Sequence, residues 1–206
     1  MSTYDYLFRI LIVGDAIVGK TSICNRITSN VFSLSCSSTI GVDFSTFNIK
    51  LPSEHVVKCQ LWDTAGCERF RSITHSYYHD AALVMLVFDL SDKDSFYSLD
   101  MWLKEIRLNV NNDTYKILLV GNKSDMKPDI SRDEILDFIT TNNIKYIETS
   151  AKYDTDIRFK FSNYICELMD EKDFARNSSG VRKSLSLDNT KKYRDDEFYE
   201  CCCSIQ

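Results

Sequence analysis

The chain reads GDAIVGKT over residues 14–21, which fits the pattern G-x-x-x-x-G-K-[S/T]. In such a loop, backbone N–H groups surround phosphate oxygens, the lysine reaches the terminal phosphates and the hydroxyl faces a magnesium ion. Residues 7–13 before it have the composition of a buried strand, and residues 21–28 after it can form a helix. This order predicts a phosphate site at the N-terminal end of the helix.

A plain turn between a strand and a helix is the alternative interpretation of residues 14–21. Such a turn has no need of a cation and a hydroxyl in sequence, whereas Lys20 and Thr21 directly follow Gly19. Ile17 is unusual in this loop, because a β-branched residue is strained wherever its backbone takes a positive φ. We therefore expect a phosphate loop whose rim is altered at Ile17.

Two later motifs concern the nucleotide base. Residues 122–125 read NKSD after the strand-like run 115–121, where the carboxyl end of a parallel strand opens into a ligand crevice. The Asp125 carboxylate can accept hydrogen bonds from N1–H and the 2-amino group of guanine, whereas adenine has no donor at either position. Residues 149–152 read TSAK and offer a backbone donor for the guanine carbonyl oxygen. The motifs together predict GTP rather than ATP, which disfavours a P-loop kinase or ATPase, although each alone could be an ordinary polar turn.

Composition limits the remaining classes of function. With 206 residues, 44% of them hydrophobic, the chain is the size of one domain with a substantial core. A net charge of −5 argues against a nucleic-acid surface. Residues 1–5 resemble neither a secretory nor a myristoylation signal, and the longest apolar run, 81–88, is too short to span a bilayer. We expect a protein of the cytosol with reduced thiols.

The order of strand-like and helical segments predicts an α/β fold. Strand-like runs occupy residues 7–13, 42–51, 56–63, 82–89, 116–121 and 145–148, and helical patterns occupy residues 20–28, 69–78, 95–109, 132–141 and 156–169. The turn at residues 52–55 makes the second and third strands a hairpin, and the other connections suit parallel strands. We expect a six-stranded, mostly parallel sheet with one antiparallel strand and helices on both faces.

The chain resembles the Rab type of Ras-superfamily small GTPases. The resemblance rests on TIGVDF at residues 39–44, WDTAG-x-ERF at residues 62–70 and SYY-x-x-A at residues 76–81. It implies a P-loop NTPase G domain over residues 1–170, monomeric, and a flexible tail over residues 171–206. It also implies a switch that hydrolyses GTP to GDP and recruits effectors to membranes in vesicle trafficking.

The resemblance also implies how the switch would work. Mg²⁺ would be held by the hydroxyls of Thr21 and Thr39, by phosphate oxygens and, through a water, by Asp63. A γ-phosphate and its magnesium would order Thr39, and the N–H of Gly66 would contact the same phosphate, so hydrolysis would release both segments. Phe32 resembles the aromatic residue that packs on guanine, or is a core aromatic. The implied nucleotide contacts are Asp15, Ala16, Ile17, Val18, Gly19, Lys20, Thr21, Ser22, Phe32, Thr39, Gly66, Asn122, Lys123, Asp125, Ser150, Ala151 and Lys152.

Cys67 departs from the family pattern. Rab-like proteins carry glutamine at this catalytic position, where its amide orients the attacking water beside Gly66. A thiol does this poorly, so we expect intrinsic hydrolysis slowed by roughly tenfold to a hundredfold. A GTPase-activating protein could supply the missing group in trans. The alternatives are a GTP-binding scaffold that hardly hydrolyses and, more weakly, a redox sensor at Cys67.

The tail ends in CCCSIQ at residues 201–206, which resembles a Rab prenylation signal. Farnesyl on Cys203 competes with two geranylgeranyl groups on Cys202 and Cys203, and a free or metal-binding cysteine cluster is the alternative. The acidic run at residues 195–200 would be repelled by anionic lipids, so no polybasic patch can act as a second anchor. We expect at least two lipid chains, because a single chain binds membranes only marginally.

The resemblance further implies a set of partners and a location. The partners are a guanine-nucleotide exchange factor, a GTPase-activating protein, a GDP-dissociation inhibitor, a Rab escort protein with its prenyltransferase, and effectors. The location is the cytoplasmic face of intracellular membranes, with a cytosolic pool. The sequence does not identify the compartment or the individual partners.

Overall fold

The computed structural model describes residues 4–34, 39–66, 77–110, 114–171 and 180–183, and the backbone of residues 199–200. The strands are β1 (Tyr6–Val13), β2 (Val42–Lys50), β3 (Val56–Thr64), β4 (Leu83–Asp89), β5 (Lys116–Asn122), β6 (Lys145–Glu148), β7 (Val181–Lys183) and β8 (Tyr199–Glu200). The helices are α1 (Lys20–Ser29), α2 (Lys93–Tyr97), α3 (Leu99–Asn109), α4 (Arg132–Asn142) and α5 (Ile157–Asp170).

All strands belong to one sheet in the order β6-β5-β4-β1-β3-β2-β8, with β7 beside β1. β1 runs parallel to both β3 and β4, β5 and β6 continue the parallel set, and β2 pairs antiparallel with β3. The two strands that flank β1, β3 and β4, lie on opposite sides of it. Open α/β sheets form a ligand crevice at the carboxyl end of such a strand. The predicted α/β fold, mostly parallel with an antiparallel hairpin, is confirmed.

Two hydrophobic cores cover the two faces of the sheet, as predicted. One contains residues of α1 and α5, including Ile23, Ile27 and Phe161, and the other contains residues of α2, α3 and α4. All seven residues of β4 are buried, as expected for a central strand covered on both sides. None of the helices within the described residues has the length and apolar character needed to cross a membrane.

The structure divides one of the predicted helices and describes only the end of another. The predicted helix over residues 95–109 is two helices, α2 and α3, which meet at Ser98. Ser98 keeps a helical backbone, and its hydroxyl, at 3.1 Å, shares the carbonyl of Asp94 with its own N–H, at 3.0 Å, a pattern that often bends helices. Most of the predicted helix over residues 69–78 lies outside the described residues, and its last two residues, Tyr77 and Tyr78, are helical.

Part of the tail joins the sheet, which the sequence did not predict. β7 lies antiparallel to the first half of β1, with Val181 opposite Phe8, and the carbonyl of Gly180 accepts the N–H of Arg9 at 3.0 Å. A Cβ at Gly180 would lie 2.2 Å from the nitrogen of Ala82, so only glycine permits this approach. Val181 is buried in the core. The backbone of β8 pairs with the outer edge of β2.

We predict that Gly180→Ala displaces β7 from β1, because the added methyl group has no room. The Arg9 amide then loses its acceptor, and its hydrogen exchange in the full chain, followed by NMR, should rise about tenfold or more. Lys183→Ala is the matched control, because the Lys183 side chain is exposed and its truncation adds no atom. Unchanged protection of the Arg9 amide in Gly180→Ala would contradict the docking of this segment.

Candidate functional site

The loop predicted to hold phosphate connects β1 to α1 and closes around Lys20. The Lys20 side chain is 6% exposed, and its Nζ donates to the carbonyls of Gly14 at 2.9 Å and Asp15 at 2.6 Å. Burial lowers the pKa of Lys20 to about 8, against the opposing effect of the Asp63 and Asp15 carboxylates. α1 begins at Lys20 with no side-chain cap and no acidic residue in its first turn, so its positive end faces the loop. The arrangement favours an anionic ligand.

Ile17 forms the outer rim of this loop. Its φ is 67°, the left-handed conformation in which a β-branched residue is strained. Its side chain is 88% exposed, so no packing contact offsets the strain. The backbone strain that the sequence suggested for Ile17 is therefore present in the structure.

Three side-chain oxygens from separate segments meet beside Lys20. The Thr21 hydroxyl donates to Oδ2 of Asp63 at 2.5 Å, the Thr21 and Thr39 hydroxyl oxygens are 2.9 Å apart, and the Thr39 hydroxyl lies 3.4 Å from the same Oδ2. Asp63 is 3% exposed, and burial raises its pKa despite the hydrogen bond from Thr21 and the charge of Lys20. The structure thus brings together the three residues predicted to bind Mg²⁺.

The chemistry of this group fits a magnesium ion. Hydroxyl and carboxylate oxygens are ligands that Mg²⁺ accepts, and the ion completes its octahedron with water and phosphate oxygens. Oδ1 of Asp63 is buried without a hydrogen-bond partner in the described structure, which leaves it available to a bound water or cation. No three His, Cys, Asp or Glu side chains come together within the described ranges, so a cation here would also need oxygens from its ligand.

Gly66 approaches the phosphate loop from the end of β3. A Cβ at this position would lie 2.4 Å from the nitrogen of Ala16, so only glycine allows the backbone this close. The Ala65 N–H donates to the Gly41 carbonyl at 2.9 Å, which joins this segment to the one that carries Thr39. The next residue, Cys67, lies outside the described residues.

Asn122 joins the phosphate loop to the two predicted base motifs. Its Nδ2 donates to the Val18 carbonyl at 2.8 Å, and its Oδ1 accepts from the Thr149 hydroxyl at 3.3 Å and the Ala151 N–H at 3.2 Å. The side chain is almost wholly buried, so each of these bonds satisfies a group that water cannot reach. Asn122 therefore fixes the relative positions of the three loops.

The carboxylate of Asp125, which is predicted to bind guanine, accepts a hydrogen bond from the loop that follows β6. Oδ1 of Asp125 accepts from the Ser150 hydroxyl at 2.6 Å, while the residue itself is exposed at the mouth of the site. Ser150 is buried, and its Oγ also accepts the N–H of Tyr153 at 3.1 Å.

Sequence reasoning missed three residues that support the site. Asp89 forms a 2.5 Å ion pair with Lys123, whose φ is 61°, and Trp102 donates its indole N–H to Asp15 at 2.8 Å. Arg26 contacts the carbonyls of residues 151 and 152. Trp102 is buried, as predicted for a packing residue, but it also orients the phosphate loop. These contacts link residues far apart in sequence, and no local motif signals them.

The sequence allows two roles for Phe32, a contact with guanine or packing in the core. Its ring is partly buried and packs against the core beneath α1, which corresponds to the core alternative. A contact with a guanine base stays a prediction. Ser22 lies in the first turn of α1, next to Thr21, at the position where the sequence expects a nucleotide contact.

Comparison with known proteins identifies the class. A model of the Ras family matches residues 9–170. Rab-11A of Dictyostelium discoideum is 40% identical over 167 residues, covering 80% of this chain and 77% of the relative. Rab-11B of the same organism is 43% identical over 162 residues, covering 78% and 73%. Rab-11.1 of Caenorhabditis elegans is 40% identical over 167 residues, covering 80% and 78%.

The chain therefore belongs to the Ras superfamily of small GTPases and, within it, to the Rab family, as its motifs indicated. Ras-family proteins are GTPases that bind GTP, GDP and Mg²⁺.

We predict that Ile17→Gly stabilises the protein. Strain at a positive φ costs about 1–3 kcal/mol, and the added freedom of glycine in the unfolded chain offsets about 0.4–1 kcal/mol of the gain. A net gain near 1 kcal/mol corresponds to a rise in Tm of about 2–4 °C for a chain of this size, measured by thermal unfolding. Ile17→Val keeps the β-branch and should leave Tm unchanged. A lower Tm for Ile17→Gly would contradict the strain.

Proposed function

We propose that this chain is a Rab GTP-binding switch that acts in vesicle trafficking, hydrolyses GTP to GDP and recruits effectors when loaded with GTP. The observation that carries the proposal is the meeting of Thr39 with Thr21 and Asp63, because it joins a surface segment to the phosphate loop through oxygens suited to Mg²⁺. A triphosphate with its cation would hold Thr39 there, and its hydrolysis would remove that hold.

Guanine selectivity follows from Asp125. Its carboxylate, positioned by the Ser150 hydroxyl, is an acceptor for N1–H and the 2-amino group of guanine. Adenine has no donor at those positions and would leave the carboxylate without partners. In this proposal the phosphates contact residues 15–22, and the base lies against residues 122–125 and 150–152.

Each residue of the phosphate side has a separate task. Thr21, Thr39 and Asp63 would hold Mg²⁺, which when bound would supply positive charge beside the phosphates. Lys20, already fixed by the loop carbonyls, neutralises charge that develops as the terminal phosphoryl group leaves. The Gly66 N–H would contact the same group, and the close approach of its backbone to Ala16 supports this role. Water attacks the γ-phosphorus, the bond from that phosphorus to the bridging oxygen breaks, and GDP and phosphate are the products.

Effector binding is proposed for the surface that continues from Thr39. The side chain of Ile40 is 83% exposed and that of Phe44 is 45% exposed, and the Phe44 ring packs on Trp62 with centroids 4.7 Å apart. Trp62 in turn packs on Tyr77 with ring centroids 5.0 Å apart, so the three aromatic rings form a continuous row. A partner that binds this surface would sense whether Thr39 is held. Exchange factor, activating protein, GDP-dissociation inhibitor and escort protein with prenyltransferase complete the proposed partners.

Residues 1–170 are proposed as the G domain and residues 171–206 as the tail that reaches the membrane. Cys202 and Cys203 are the proposed lipidation sites, with two chains needed for stable anchoring. The proposed location is the cytoplasmic face of intracellular membranes, with a cytosolic pool.

A scaffold that binds GTP but hardly hydrolyses it is the second candidate function. Ile17 supports this function, because a strained and exposed side chain on the rim of the phosphate loop would obstruct a partner group that approaches the phosphates there. Cys67 in place of glutamine supports the same function, because a thiol orients the attacking water poorly. Rates of hydrolysis with and without an activating protein separate the two functions.

Asp125→Asn tests the proposed nucleotide. An asparagine amide accepts from N1–H and donates to a carbonyl at C2, so it suits xanthine and leaves the guanine 2-amino group opposite a donor. We predict that GDP affinity falls by about 100-fold or more while XDP affinity rises, measured by competition in Mg²⁺ buffer. ATP should not compete with GTP on the native chain. Equal binding of GTP and ATP, or an unchanged preference in Asp125→Asn, would contradict guanine recognition.

Cys67→Gln tests the proposed reason for slow turnover. An amide that donates and accepts hydrogen bonds can orient the attacking water, so single-turnover GTP hydrolysis should accelerate by roughly tenfold to a hundredfold. Cys67→Ser is the control, because it changes the thiol without adding an amide, and its rate should stay near that of the native chain. Equal rates for the Cys67→Gln variant and the native chain would show that residue 67 does not limit hydrolysis.

A further inference from the structure

The tail strand β7 packs against the turn at residues 79–82, which leads into β4. A Cβ at Gly180 would lie 2.2 Å from the nitrogen of Ala82 and 2.5 Å from the carbonyl oxygen of Asp80, so the two backbones are in close contact. The Arg9 N–H donates to the Gly180 carbonyl at 3.0 Å, and the Ala82 N–H donates to the Arg9 carbonyl at 2.9 Å. The tail, β1 and this turn therefore meet at Arg9.

The Asp80 carboxylate adds a charged link between the same three segments. Its Oδ2 accepts from Nη1 of Arg9 at 2.8 Å and from Nη2 of Arg182 at 2.8 Å. One negative charge thus lies between a guanidinium of β1 and a guanidinium of the tail. All three side chains are partly exposed, so each ion pair is weak by itself. Both pairs act on the turn that the backbone of Gly180 also contacts, and the three interactions reinforce one another.

Arg9 also contacts the aromatic row formed by Phe44, Trp62 and Tyr77. Its Cζ lies 5.6 Å from the centroid of the Trp62 ring, a distance at which a guanidinium and an aromatic ring attract each other. The Trp62 ring packs in turn on Tyr77, which lies three residues before Asp80 in the chain. The turn that β7 contacts is therefore connected to the row twice, through Arg9 to Trp62 and along the chain to Tyr77.

β7 is the part of this assembly that can separate without disrupting the rest. It contains three residues, of which Val181 is buried while Arg182 and Lys183 are exposed. β1 also pairs with β3 and β4, so it stays in the sheet when β7 leaves. A short strand with little buried surface opens at a lower free energy than a central one. The docked and released positions of β7 therefore supply the two states that coupling between distant sites requires.

We propose that β7 is a regulatory contact that couples the tail to the aromatic row. When β7 is docked, Asp80 is held in place and keeps Arg9 over Trp62. When β7 is released, the turn and the row loosen together. The coupling is reciprocal, so a partner that binds the ordered row would favour docking of the tail, and withdrawal of the tail would weaken the binding of that partner. The coupling lies within the chain, so it goes beyond the proposed function and does not depend on which partner binds the row.

Fluorine NMR of the full chain labelled with 5-fluorotryptophan tests the coupling. The chain has two tryptophans, so Trp62 gives one resonance and the buried Trp102 gives an internal reference. Gly180→Ala, whose added methyl group has no room, should release β7 and move the Trp62 resonance toward its position in the denatured chain. Exchange of the Ala81 amide, which donates to the Tyr78 carbonyl at 3.2 Å, should rise about threefold or more.

Asp80→Asn separates the charged link from the backbone contact. It removes both ion pairs but leaves Gly180 able to dock, so the Trp62 resonance should move in the same direction by a smaller amount, while the Arg9 amide stays protected. In the double variant that combines Gly180→Ala with Asp80→Asn, the shift should be smaller than the sum of the two single shifts, because both changes break the same connection.

Two controls separate coupling from other effects. Lys183→Ala truncates an exposed side chain of the same strand and should leave the Trp62 resonance at its native position. Ser131→Ala removes the capping box of α4, so it should lower Tm through a separate helix without moving that resonance.

Three results would overturn the proposal. The first is release of β7 in Gly180→Ala, seen as faster exchange of the Arg9 amide, with an unchanged Trp62 resonance. The second is a shift of the Trp62 resonance in Ser131→Ala as large as that in Gly180→Ala, which would reflect general destabilisation. The third is equal exchange of the Arg9 amide in the native chain and in Gly180→Ala, which would show that β7 does not dock as described.

Discussion

The buried carboxylate of Asp63 is the constraint around which the phosphate side is organised. A charge at this depth needs hydrogen-bond partners. Oδ2 of Asp63 has the hydroxyls of Thr21 and Thr39, whereas Oδ1 has no partner among the residues that the structure describes. Lys20 contributes positive charge nearby but is committed to the loop carbonyls. A divalent cation with phosphate ligands would resolve this imbalance. The same carboxylate therefore links the fold of the crevice to the position of the segment that carries Thr39.

The proposed base side is built on hydrogen bonds between loops instead of on a buried charge. Asn122 ties the phosphate loop to the loop at residues 149–152, Ser150 holds Asp125, and Arg26 holds the outer carbonyls of that loop. Because these bonds form one connected network, a change in one member should alter the others. The proposed phosphate and base subsites thus share Asn122, which sets their geometry together.

Local patterns predicted the elements of this structure better than its supporting contacts. Strands, the order of the motifs and the phosphate loop are encoded by short stretches of sequence, and all six predicted strands appear in the sheet. The break at Ser98 lies inside a continuous helical pattern that gives no sign of it. Arg26, Asp89 and the docking of residues 180–183 depend on contacts between distant segments, and periodicity carries no information about them.

Hydrogen exchange at the Thr39 and Gly66 amides tests the switch most directly. The full chain would be compared in Mg²⁺ with GDP and with a non-hydrolysable GTP analogue. If a triphosphate and its cation hold both segments, these amides should exchange at least about tenfold more slowly in the triphosphate form, while amides in the buried strand β4 remain equal. Identical exchange at Thr39 and Gly66 in the two forms would contradict a switch controlled by the terminal phosphate.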